Sequence, residues 1–141
     1  MSHTIPRVYV AGPYSTECVT TKHQNIQRAW RYSAMVAECG AMPYSPITNT
    51  SWLDKYGTVE WWYEATAEML DVCDAILLMP GWTESNGACG EAIRAGMLDL
   101  VIIDAQAALD ECMGIYIDDG DAMVRAFLHG LVYRFTGRAA A

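Results

Sequence analysis

The sequence predicts an α/β domain built on a parallel sheet with helices on both faces. Three observations carry that expectation. Four short apolar runs, at 7–11, 41–44, 74–79 and 100–103, are each separated by a segment with helical spacing. The third run, Asp74-Ala75-Ile76-Leu77-Leu78-Met79, is apolar without alternation, as a strand buried on both faces should be. Strands joined through helices pair in parallel, and right-handed crossovers place the loops after strands one, two and three along one rim.

Each element follows from local chemistry. Arg7-Val8-Tyr9-Val10-Ala11 is strand-like and ends at the Gly12-Pro13 turn; alternation puts Tyr9 and Ala11 on one face and Val8 and Val10 on the other. After a polar loop, Ile26, Ala29, Trp30, Ser33 and Ala37 recur at helical spacing until Gly40. The strand Ala41-Met42-Pro43-Tyr44 stops at Ser45-Pro46, and Pro43 marks it as an edge because proline cannot donate to a ladder. Residues 47–58 read as a polar and aromatic loop. Val59, Trp62, Thr66, Met69, Leu70 and Cys73 mark a second helix, in which core packing is expected for Trp62 while one of Trp61, Trp62 and Tyr63 lines a pocket. A third helix covers 86–98, a fourth strand 100–103 and a last helix 121–131, with a short strand near Ile115-Tyr116-Ile117 before it; the tail from Arg138 is expected to fray.

The bulk numbers narrow the function. A chain of 141 residues, 52% hydrophobic and 18% charged, is expected to form one domain over 1–141 with a real core. Net charge is −8 and Lys22 and Lys55 are the two lysines, so no basic face for nucleic acid is expected. Five scattered cysteines without a CxxC pair point to reduced thiols and a cytoplasmic protein. No signal-peptide pattern or long apolar run is visible, so no membrane partner is expected. Walker A, GxGxxG and GxSxG motifs are missing, and His3, His23 and His129 stand alone; neither a metal nor a cofactor is called for.

Chemistry concentrates in Pro80-Gly81-Trp82-Thr83-Glu84-Ser85-Asn86-Gly87-Ala88-Cys89-Gly90-Glu91, a turn leading from strand three into a helix. Ligands of open α/β sheets bind beyond the carboxyl ends of the strands, where this turn lies. Glu91 has small neighbours that let a ligand approach it. Ser85 or Asn86 can cap the helix, and the same hydroxyl and free N–H groups suit an anion such as a phosphate. Gly12 leaves the backbone open to close approach, and Ser15 and Thr16 add hydroxyls. Tyr9 needs a partner for its hydroxyl, and a carboxylate on a neighbouring element would serve.

Tyr9-Val10-Ala11-Gly12-Pro13-Tyr14-Ser15, Tyr44-Ser45-Pro46, Cys73-Asp74-Ala75-Ile76 and the Pro80–Glu91 segment together resemble the nucleoside 2-deoxyribosyltransferase superfamily, especially its short bacterial and phage members. The resemblance spans roughly residues 7–104. It implies a flavodoxin-like (Rossmann-like) three-layer sandwich with a four- to five-stranded parallel sheet, and cleavage of the N-glycosidic bond of (deoxy)nucleosides or their 5′-monophosphates. Glu91 matches the nucleophile that forms a covalent glycosyl-enzyme intermediate, and Tyr9 the tyrosine that orients it. Gly12, Pro13, Tyr14 and Ser15 match a substrate loop, with Ser85, Asn86 and Gly87 across from it. Ser85 stands where transferases on free nucleosides carry an aspartate, which tilts the expectation towards monophosphates and towards hydrolysis over base transfer. Thr66 stands where a base-contacting aspartate is common. The general acid is left open among Glu64, Glu68 and Glu84. Homodimers or higher homo-oligomers with shared sites are implied. Two alternatives stay open: base transfer between free deoxynucleosides, and a non-catalytic protein that binds or senses a nucleotide.

Overall fold

A computed structural model describes residues 3–112 and 117–137. The apolar runs form β1 (Arg7–Ala11), β2 (Met42–Tyr44), β3 (Ala75–Leu78) and β4 (Val101–Asp104), all parallel, in the order β2-β1-β3-β4. The fold is a flavodoxin-like, Rossmann-like three-layer α/β arrangement. β2 is indeed an edge strand, consistent with the ladder donor that Pro43 lacks. Tyr9 sits in register with Tyr44 on one side and Ile76 on the other, at the point where the chain switches the direction in which it adds strands.

The helices are α1 (Val19–Glu38), α2 (Pro46–Asn49), α3 (Val59–Asp71), α4 (Asn86–Met97), α5 (Ala105–Glu111) and α6 (Ile117–Thr136). Strand alternation divides the core as the pleat requires. Val8, Val10, Leu77 and Ile103 face α1, α5 and α6, where Met35, Val36, Ala108 and Leu128 meet them. Tyr9, Ala11, Ile76 and Leu78 face the other way, against Leu70 of α3 and Ala95 of α4. Gly40, at φ +94°, ends the chain's run from α1, and the following Ala41 N–H returns to the Val36 carbonyl.

Several expected boundaries are corrected. The buried stripe of α1 is Asn25, Ala29, Tyr32, Met35 and Val36; Trp30, expected on it, is 68% exposed, and Ala37 is exposed too. Residues 47–58 are not plain loop. Ser45 caps α2, with Pro46 at its first position, and Asp54–Tyr56 forms a 3-10 turn. α5 was not expected; Asp104 closes β4 and caps it by accepting from Ala107 N. α6 begins earlier and ends later than 121–131. Of the strand expected near 115–117, Ile115 and Tyr116 lie outside the described residues, as does the tail from Arg138, and Ile117 begins α6. Among the described residues no helix is long and apolar enough to cross a membrane.

Candidate functional site

Three loops at the carboxyl ends of β1, β2 and β3 close around a cavity of about 470 Å³. β1 and its loop supply Tyr9, Gly12, Pro13, Tyr14 and Ser15 to its wall; the β3–α4 turn supplies Ser85, Asn86, Gly87 and Glu91. Thr66 completes the wall from α3. The ten residues that the resemblance marks as catalytic or substrate-binding therefore line one space, whereas Thr16, expected to add a hydroxyl there, does not.

Its centre is a pair. The fully buried Tyr9 donates its hydroxyl hydrogen bond to Glu91 Oε2, across 82 residues of sequence. A tyrosine in an otherwise apolar strand face has its one polar atom satisfied in this way. Burial pushes the Glu91 carboxyl up to about 7, while the Tyr9 hydrogen bond acts to lower it. Burial first, and then the charge of Glu91, raise the Tyr9 phenol well above its ordinary range. Glu91 thus sits in the range where a carboxyl changes protonation near neutral pH.

α4 begins at Ser85, whose Oγ accepts from Ala88 N at 3.2 Å. The serine is a working helix cap, and its own hydroxyl proton stays available to donate. The turn before it is pinned from outside: Arg28 donates to the Pro80 carbonyl at 3.2 Å, and Gly81 N donates to Gln106 Oε1 at 3.0 Å. Gly12 lines the cavity, and a side chain there would also have to displace Met79. A Cβ there would come within 2.6 Å of Met79 Cε and 3.1 Å of Met79 Cβ.

Tyr14 is tied to partners that no sequence motif marked. Tyr14 donates its hydroxyl to Asp54 Oδ1 at 2.5 Å, and Lys22 pairs with Asp54 Oδ2. Burial raises the Asp54 carboxyl, but the hydrogen bonds from Lys22 and Tyr14 outweigh it and leave the group below its ordinary value. The Lys22 ammonium also lies 4.9 Å from the Tyr14 ring centroid and 5.0 Å from that of Trp52. Trp52 adopts a left-handed φ of +65°, unusual for a bulky residue, and its N–H donates to the Tyr14 hydroxyl at 2.9 Å. Buried Asn25 holds the same loop through the Tyr14 carbonyl.

Trp62, expected in the core, instead lines the cavity with Tyr63 and donates its indole N–H to the Asp54 carbonyl at 3.1 Å. Of the three acid candidates, Glu84 lines the cavity; Glu64 and Glu68 are exposed on α3 and do not. A shallower groove between α3 and α4 reaches Glu91 from the outer face and shares Tyr63, Thr66 and Gly87 with the main cavity. Among the described residues no cluster of three or more His, Cys, Asp or Glu side chains is disposed to hold a metal ion.

The arrangement supplies a partly buried carboxyl with one fixed hydrogen bond, aromatic walls and a charged pair, Asp54 with Lys22, beside Tyr14. The chain belongs to the family described as a domain of unknown function, DUF4406, whose model matches residues 6–104. That span runs from the first residue before β1 to the end of β4 and contains every residue lining the cavity. No curated protein matches the chain.

Proposed function

We propose that the chain cleaves the N-glycosidic bond of nucleosides or nucleoside 5′-monophosphates, with Glu91 as the nucleophile. The observation that carries this is the buried Tyr9–Glu91 pair in a cavity of about 470 Å³ at the switch point of the sheet. Ionised Glu91 attacks the anomeric carbon through an oxocarbenium-like state as the C–N bond breaks, leaving a glycosyl ester and the free base. Water then cleaves the ester, giving hydrolysis; a second base in its place gives transfer. Hydrolysis is the favoured outcome. Tyr9 orients the carboxylate, and Ser15, Ser85, Asn86 and Gly87 offer polar contacts to the sugar side, while Tyr14, Trp62 and Tyr63 offer faces for a planar base.

The protein is proposed to work in the cytoplasm, where its five unpaired cysteines stay reduced. It is proposed to self-associate: Tyr63 on α3 and Ile93 and Met97 on α4 are apolar and at least half exposed. Mass spectrometry of products from a mixed nucleoside and nucleotide pool, with and without an acceptor base, tests the reaction. Release of free base that disappears in Glu91→Ala supports it; unchanged release in that variant sinks it. A second reading is a non-catalytic nucleotide-binding protein, favoured by Thr66 standing on the cavity wall where the resembled superfamily commonly has a base-contacting aspartate. Tight binding without turnover of any pool member would establish that alternative.

A further inference from the structure

The charge of the cavity speaks to its substrate. Asp54, Glu84 and Glu91 line it, and none of the residues lining it is Lys, Arg or His. Lys22, the cation at the mouth, is already committed to Asp54 and to the Tyr14 and Trp52 rings. With that pair neutralised, the exposed Glu84 and the partly ionised Glu91 are the charged groups left on the lining, both acidic, in a chain of net charge −8. Tyr14, Trp62 and Tyr63 add aromatic faces. An acidic space walled by aromatic rings receives a planar cation, whereas a phosphate dianion meets like charge.

We propose that the cavity selects a phosphate-free N-glycoside whose base carries a positive charge, of the N-alkylated purinium or pyridinium type. The proposal rests on the N-glycosidase function given above and narrows its substrate class. It also removes the need for a general acid. A neutral base needs a proton to leave well, and Glu84, the acid candidate on the lining, is exposed and lacks the burial that would hold a proton near neutral pH. A cationic base needs none. Glu91 bonds to the anomeric carbon, the C–N electron pair moves onto the ring nitrogen and cancels its charge, and the base departs neutral. Water then adds its hydroxyl to the anomeric carbon, regenerates the Glu91 carboxylate and releases one proton.

The substrate charge also acts on the nucleophile. Burial holds Glu91 near the point of half protonation at neutral pH. A cation beside it favours the reactive carboxylate, and a phosphate beside it favours the inert acid.

Two matched pairs test the proposal on the full chain: 7-methylguanosine against guanosine, and nicotinamide riboside against its 5′-phosphate, with base release followed by chromatography. Expected is a kcat/KM ratio for the first pair at least about tenfold beyond the ratio of their spontaneous cleavage rates, and for the second at least about tenfold in favour of the riboside. Glu84→Gln should narrow both ratios. Equal or faster cleavage of the 5′-phosphate, or guanosine keeping pace with 7-methylguanosine, overturns the charge selection while leaving N-glycosidase activity standing. If neither these four nor their 2′-deoxy counterparts release base, the N-glycosidase function itself fails. Calorimetric binding then decides the rest: riboside bound more tightly than its phosphate keeps the charge selection, and the reverse order or no binding ends it.

Discussion

Replacing Glu91 with glutamine tests the central group without any knowledge of the substrate. In the fold the carboxyl titrates at about 7, against an ordinary value of 4.5. The folded state therefore holds a proton that the unfolded chain releases, and stability must fall as pH rises from 4.5 to 7. At ~1.4 kcal/mol per pH unit, the full gap is worth at most about 3.5 kcal/mol. Glutamine never ionises, and its side-chain carbonyl can still accept from Tyr9. Glu91→Gln should therefore be more stable than the wild type, by about 1 kcal/mol at pH 5 and about 3 kcal/mol at pH 8, with little further change above. In a domain of this size that is a rise of about 10 °C in Tm at pH 8. Urea unfolding followed by tryptophan fluorescence at pH 5, 6, 7 and 8 measures it, since the difference between the two proteins cancels every other titrating group. A stability gap that stays flat across that range would show that Glu91 is an ordinary ionised carboxylate, and the argument from burial would be wrong.

Four further outcomes follow from the same geometry. Base release should rise with pH through about 7, because Glu91 must be ionised to attack; a kcat/KM profile flat from pH 5 to 8 would contradict this. Tyr9→Phe removes a hydrogen bond that lowers the Glu91 pKa, so the rising limb of that profile should move to higher pH, with kcat reduced; a limb that moves down would refute the assigned direction. Ser85→Ala should cost about 1 kcal/mol by uncapping α4, and Ser85→Asp should restore most of it, as read by urea unfolding. Gly12→Ala should destabilise by about 1–3 kcal/mol through contact with Met79, and pairing it with Met79→Ala should give a non-additive double-mutant cycle in the same assay.

The sheet was legible because its strands are short, apolar and punctuated. Gly12-Pro13, Ser45-Pro46 and Pro80-Gly81 stop three of them within a residue or two of the observed ends. Pro43 even gave the edge. What failed did so where tertiary contacts overrule local pattern. Helical spacing put Trp30 inside, yet α1 buries Asn25, whose amide holds the Tyr14 carbonyl. A polar residue takes a core position there because it positions the site loop. The seven residues of α5 are too few to show a period, and its cap, Asp104, is also the last residue of β4. Asp54 was missed for a similar reason. It lies in a 3-10 turn inside a stretch of mixed polar and aromatic residues, and its importance comes from Tyr14 and Lys22, 40 and 32 residues away. The one local signal was an acidic residue between Trp52 and Tyr56 in an otherwise uncharged approach to Lys55.

The Tyr9–Glu91 pair joins the two halves of this logic. Tyr9 belongs to the sheet, fully buried and in register with Tyr44 and Ile76, while Glu91 belongs to α4. Their hydrogen bond fixes a carboxyl where burial favours its neutral form, so Glu91 is only about half ionised at neutral pH. Positive charge developing on the sugar ring in the proposed reaction reverses that preference at the moment the carboxylate is needed. A more exposed glutamate would be ionised throughout and would gain less from the same positive charge, because water would already solvate it. The stability lost between pH 4.5 and 7 and the reactivity gained on binding are therefore two consequences of one placement, and a variant that shrinks the first by exposing Glu91 should lower the second as well.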